Sequence, residues 1–181
     1  MKKTKLFLTA LLAITISKSY SQTYKCAFGV NIGGTQDGMG VMINYNYFIK
    51  GDNSIAISIL ATDSQYKYKE GDKITYNDLT LNLGYSTNLY CTKNRKFGIN
   101  LGLGATVGYE IVNTSNKTLS NGGLVLGNSK TIYGAYTGVD LDYLINDRIT
   151  LFLKANEYYH ANSDLGNLIP FAGLGLRYYA N

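Results

Sequence analysis

Residues 133–156, YGAYTGVDLDYLINDRITLFLKAN, decide the fold. On the first arm Tyr133, Ala135, Thr137, Val139, Leu141 and Tyr143 share one parity, and Gly134, Tyr136, Gly138, Asp140 and Asp142 share the other. On the second arm Ile149, Leu151, Leu153 and Ala155 alternate with Thr150, Phe152, Lys154 and Asn156. Period-two alternation gives each strand one oily face and one face of glycines, amides and a few charges. The arms meet at a sharp turn over 145–148, where the short side chains of Asn146 and Asp147 tolerate a tight backbone. Apolar residues are odd-numbered on both arms, so the connection needs an odd residue count or a bulge.

The rest of the chain repeats this hairpin. Alternation predicts strands over 24–34, 39–49, 55–62 and a fourth around Leu79, Leu81, Leu83 and Tyr85. A fifth carries Phe97, Ile99, Leu101, Leu103, Ala105, Val107 and Tyr109 opposite glycines, Asn100 and Thr106. With the two hairpin arms and a last strand over 169–179 the total is eight, and no stretch after the leader reads as a helix. Connections at 50–53, 91–95 and 145–148 are short, and those at 63–73, 113–129 and 161–168 are longer. The connection at 35–38 is short where the pattern asks for a long one. Tight turns at one end and longer loops at the other are the asymmetry of an outer-membrane barrel. The expected fold is therefore all-β: a small transmembrane antiparallel β-barrel of about eight strands, occupying residues 22–181.

Composition agrees. The chain has 17 Tyr and 20 Gly but one Pro and no Trp. Its formal charge of +5 owes four lysines (Lys2, Lys3, Lys5 and Lys18) to the first 21 residues, which hold no acid. The remainder has 17 − 4 = 13 basic and 12 acidic residues, a net +1, so direct nucleic-acid binding lacks an electrostatic footprint. Residues 1–21 read as a signal peptide: an n-region of lysines, an apolar run over 6–16, and Ser19-Tyr20-Ser21 placing small residues about the cleavage site. That run is short of the about 20 residues a transmembrane helix needs. Export to the outer membrane of a Gram-negative bacterium is the expectation.

Which face looks outward follows from the second face. A soluble barrel would turn Lys, Glu and Asp to water. Here that face is mainly Gly, Asn, Ser and Thr, with Glu110, Asp140, Asp142, Lys154 and Arg177 as scattered charges. It suits a narrow lumen in which small residues leave room for Tyr136 and Phe152, and the oily face then meets outer-membrane lipid. An eight-stranded barrel fills its interior with side chains, so no sizeable open channel is expected. Tyr45, Tyr47, Tyr85, Tyr90, Phe97, Tyr143, Tyr178 and Tyr179 gather near the turn ends. Tyr66, Tyr68, Tyr76, Tyr109, Tyr133, Tyr158 and Tyr159 gather near the loop ends. Two aromatic belts are expected, although Tyr is also a common strand former.

Apparent chemical motifs are few. Gly102, Gly104 and Gly108 superficially imitate a nucleotide-binding loop, but they fall inside a strand with no following helix and no Lys-Ser/Thr. His160, the only histidine, lies near Ser163 and Asp164 in an expected external loop, the one arrangement that could serve a lipid hydrolase at the rim. Neighbours in a short loop often arise by chance, and no catalytic, cofactor-binding or metal-binding residues are assigned. Asp140, Asp142, Lys154 and Arg177 are expected to form a luminal ion-pair network, with Lys154 in diagonal reach of Asp140. Cys26 and Cys91 fall near the turn side, and an exported chain permits a disulfide without strand geometry promising one. Leu124-Val125-Leu126 stands out as an apolar patch in the loop over 113–129.

The hairpin at 133–156, the preceding FGINLGLGATVGYE of residues 97–110 and the ending GLGLRYYAN of 173–181 resemble the conjugative transposon protein TraO family of Bacteroidetes. In that family a similar Tyr-Gly hairpin turns at Thr/Asn-Asp-Arg, and the chain closes on Gly-Leu-Arg and an aromatic. The resemblance covers roughly residues 96–180. It implies a non-enzymatic envelope component of a conjugative-transfer apparatus, with other transfer proteins as partners, and it supplies no catalytic residues. The alternative is a small structural or adhesive outer-membrane barrel unrelated to conjugation.

Overall fold

The computed structural model describes residues 24–67, 73–115, 127–164 and 166–181. Eight strands follow in order: β1 (Cys26–Thr35), β2 (Gly38–Lys50), β3 (Asn53–Lys67), β4 (Lys73–Cys91), β5 (Phe97–Val112), β6 (Lys130–Asn146), β7 (Ile149–His160) and β8 (Leu168–Ala180). Each pairs antiparallel with its neighbour, and β1 pairs with β8 to close the barrel. Closure leaves no unpaired edge, which a membrane-spanning sheet requires. The residues of the expected leader, 1–21, lie outside those described, as does the Leu124-Val125-Leu126 patch.

Odd parity survives each turn-end hairpin because a bulge absorbs one residue. Register shifts fall between Phe48 and Lys50, between Asn88 and Tyr90, and between Leu144 and Asn146. Of the odd residue count or bulge expected at 145–148, the chain takes the bulge, and two more repeat it. At the loop end β1 and β2 are joined by Gln36 and Asp37 alone, with Asp37 in the left-handed region at φ 56°.

Strand β3 runs further than its hydrophobic pattern. Residues 63–67, expected in a loop, continue β3, with Asp63 opposite Asn77 and Ser64 opposite Tyr76. Beyond the lipid layer an outward side chain meets water, so alternation of polarity stops while backbone pairing goes on. The apolar signal marks the membrane-facing stretch and not the strand's length.

The faces divide as the composition requires. Val30, Ile43, Leu81, Leu103 and Leu174 project outward, each about half exposed. Inside the loop half Met42, Leu60, Tyr76, Val112, Tyr158, Ile169 and Phe171 pack into a buried cluster. Small residues make the space: a Cβ on Gly84 or Gly104 would collide with the Tyr136 ring, and Phe152 lies opposite Gly175.

The belts need correction. Tyr47, Tyr85, Tyr90, Tyr143 and Tyr178 face outward near the turns, and Tyr109, Tyr133 and Tyr159 do so near the loops. Tyr76 and Tyr158, however, are buried in the lumen on the inward parity of β4 and β7. Tyr179 also turns inward, its ring stacked on Phe48 with centroids 5.8 Å apart and tilted against Tyr24 at 5.5 Å. Parity, not distance from a strand end, decides which tyrosines meet lipid. The side chains of Tyr66 and Tyr68 lie outside those described.

Candidate functional site

The lumen is where this chain concentrates its chemistry, and β6 supplies its centre. Asp140 and Asp142 sit two residues apart, so period two turns both inward. Lys154 of β7 stands directly opposite Asp140, not diagonal to it as the sequence reading has it, and its Nζ donates to Asp140 Oδ1 at 2.6 Å. Arg177 of β8 reaches across β7 to both aspartates: Nη2 donates to Asp140 Oδ2 and Nη1 to Asp142 Oδ2, each at 2.7 Å. Its guanidinium also lies 4.4 Å from the Phe152 ring centroid. Two cations and two anions close a neutral set, which buried charge demands. The planar guanidinium can serve two carboxylates at once, a task a lysine's single ammonium does not match.

Toward the turns the network is joined to an amide chain. Asn100 Nδ2 donates to Asp142 Oδ2 at 2.9 Å, and Asn88 Nδ2 donates to Asn100 Oδ1 at 2.9 Å. Beyond it opens a cavity of about 610 Å³ whose lining includes Asn46, Ser86, Cys91 and Tyr179, with Asp142 and Arg177 at its inner end. The expectation of a filled lumen therefore holds only for the loop half. The turn half stays open because its inward positions are Ser54, Ser86, Asn88 and Gly98, too small to meet across the barrel.

At the loop end sits a feature the sequence reading missed in part. Asp78 of β4 lies directly opposite Glu110 of β5, both buried. Glu110 accepts hydrogen bonds from Ser163 Oγ and from the Asp164 backbone N–H, which draws the β7–β8 connection over the mouth. Lys130 pairs with Asp164, and Asn162 Nδ2 donates to the Thr131 carbonyl at 2.7 Å. Asp78 was legible as the inward partner of Leu79 on an alternating strand.

His160 is not in the loop. It is the last residue of β7, its side chain buried in the lumen, and neither ring nitrogen has a hydrogen-bond partner. Ser163 turns its hydroxyl to Glu110, so the His–Ser pair is not assembled. The reason is parity again: even-numbered residues of β7 point inward, and His160 is the last of them. Gly102, Gly104 and Gly108 lie within β5, as expected of strand glycines. Cys26 and Cys91 are free thiols; Cys91 lines the turn-end cavity, whereas Cys26 hydrogen-bonds the Ala180 carbonyl at the β1–β8 seam. Among the described residues no group of three or more His, Cys, Asp or Glu is placed to hold a metal.

A family model described as conjugative transposon protein TraO matches residues 22–180. No curated protein matches in sequence. Among solved structures, Neisserial surface protein A is similar with a TM-score of 0.60 and 10% identity, covering 85% of this chain and 96% of its own. The attachment invasion locus protein Ail of Yersinia pestis, in complex with the heparin analogue sucrose octasulfate, gives 0.52 and 15%, covering 86% and 99%. The N-terminal β-barrel domain of Pseudomonas aeruginosa OprF gives 0.54 and 13%, covering 87% and 99%. The fold is a closed eight-stranded barrel of outer-membrane type.

Proposed function

The chain belongs to the conjugative transposon protein TraO family, and from that premise we propose that it is a non-enzymatic outer-membrane component of a conjugative-transfer apparatus. The observation that carries the proposal is the extent of the family match, which spans the whole barrel. The apolar exterior suits a lipid environment, with residues 1–21 acting as a leader removed on export. Other transfer proteins are its partners and meet it at the two ends, because the lipid face and the packed half of the lumen leave no other surface. The non-enzymatic part is supported by Ser163, whose hydroxyl is engaged by Glu110, and by His160, whose ring nitrogens bond nothing.

Deleting the gene from donor cells should lower transfer of the mobile element while growth and envelope integrity stay normal. The protein should be recovered in the outer-membrane fraction, beginning at residue 22 by mass spectrometry and migrating differently before and after boiling. Normal transfer from the deletion strain, with the protein still in the outer membrane of the parent, would leave the structural or adhesive barrel as the reading. Recovery as a soluble periplasmic protein would sink both.

A further inference from the structure

The turn-end cavity is blind. Its inner end is the charge network, and behind that network lies a small space of about 20 Å³ among Asn44, Tyr136, Lys154 and Asn156. Beyond that lies the packed cluster of Met42, Tyr158 and Phe171. Whatever enters from the turns docks and does not pass through.

Charge around the cavity mouth is lopsided. Lys25, Lys50, Lys93, Arg95, Lys96 and Arg148 fall in or beside the turns against Asp52 and Asp147, six positive charges to two negative, a net +4. Lys93, Arg95, Asp52 and Asp147 line the cavity and cancel, so the excess comes from Lys25, Lys50, Lys96 and Arg148 on the surrounding rim. The two acids do not offset the excess, since each cancels a single cation, as where Arg95 pairs with Asp52. The excess is local: the chain from residue 22 carries only +1 in all, so the remaining parts sum to 1 − 4 = −3. The four charges of the luminal network cancel, so they do not contribute to the excess. The mouth therefore presents an attractive field to an anion in a cleft with low-dielectric walls, which focuses it.

The cavity lining matches a backbone. Asn46, Asn88, Ser86 and Thr150 set amide and hydroxyl groups in its wall beside the Tyr24, Phe48 and Tyr179 rings, with the side-chain N–H groups of Asn46 and Asn88 donating to Ser54 and Asn100. Amides and hydroxyls both donate and accept, as peptide groups require. We propose that the turn end of the barrel is a blind socket that receives an extended acidic polypeptide segment of a partner protein. Bilayer lipid is excluded from it because the socket lies inside the strand wall. The proposal rests on the barrel and its charge distribution and not on the transfer role, so a binding assay on purified protein and a transfer assay fail separately.

The test uses the folded protein in detergent micelles and a fluorescein-labelled twelve-residue peptide of alternating glutamate and serine, read by anisotropy. The lysine–serine counterpart and an oligodeoxythymidine of equal charge serve as comparisons. Saturable binding of the acidic peptide is expected, weakened at least tenfold by Lys93→Glu with Lys96→Glu and by Ser86→Trp, which fills the cavity without changing the rim. Heat-modifiable gel mobility reports whether each variant folds. Should Ser86→Trp not fold, a bulky maleimide on Cys91 of the folded Cys26→Ser protein fills the same space and should weaken binding equally. No saturable binding by the folded wild type overturns the proposal. So does binding that survives the filled cavity, or oligodeoxythymidine binding of equal strength and equal sensitivity to the filling.

Discussion

Arg177 holds two carboxylates that no other residue could hold together. Replacing it with methionine leaves Asp142 without a cation, held by the Asn100 amide, and leaves Asp140 with Lys154 as its one cation. Breaking a buried pair by removing one partner costs about 3–5 kcal/mol, and Arg177→Met should fall toward that figure, lessened where lumen water reaches the aspartates. Lys154→Met should cost clearly less, because Asp140 keeps Arg177 at 2.7 Å. Urea unfolding midpoints in detergent order the two variants. Equal midpoints would contradict the geometry. The existence of this network was readable from the two acids and two bases on the inward faces of β6, β7 and β8. Its connectivity was not, because the reach of Arg177 across β7 depends on how far neighbouring strands are staggered.

At the scale of the element, the β7–β8 connection and the outward strand faces make opposite demands. The connection is held by Glu110 through one hydroxyl and one backbone N–H, and by the Lys130–Asp164 pair. Hydrogen bonds to a charged acceptor are worth about 1.5–3 kcal/mol, so Glu110→Gln should free the connection while the barrel stays closed. Limited proteolysis of the folded protein should then cut within 161–167 faster than in the wild type, with unchanged heat-modifiable mobility. A cutting rate equal to the wild type would mean the loop is held elsewhere. On β7 itself Leu153 faces outward at 45% exposure. An arginine on the lipid face near the midplane costs about 2–4 kcal/mol. Leu153→Arg should lower the folding free energy in lipid vesicles by that order, and a neutral result would show the faces are reversed.

For the whole molecule, the split between a packed loop half and an open turn half sets what can cross. Tyr158, Phe171 and Met42 are fully buried and meet in the lumen. The wild-type barrel should therefore give no steady conductance in planar bilayers and no swelling of sugar-loaded liposomes. Truncating Tyr158 and Phe171 together to alanine should admit small solutes, or lower stability by the several kcal/mol that large-to-small core changes cost. A sustained wild-type channel would contradict the packed half.

Strand count and strand parity were determined by the sequence as local consequences of period-two alternation and turn chemistry, and the lipid face by the small polar residues of the opposite face. The turn at 145–148 needed an odd residue count or a bulge, and the structure takes the bulge. Family membership was visible in the same hairpin. Tertiary structure alone decided the rest. Where β3 ends depends on strand extension beyond the membrane, and whether Ser163 meets His160 depends on Glu110, which holds the Ser163 hydroxyl from another strand. The open half of the lumen depends on side chains from several strands failing to meet across a closed circle. Sequence order lists those side chains one strand at a time, and only closure of β1 on β8 fixes the distance between them.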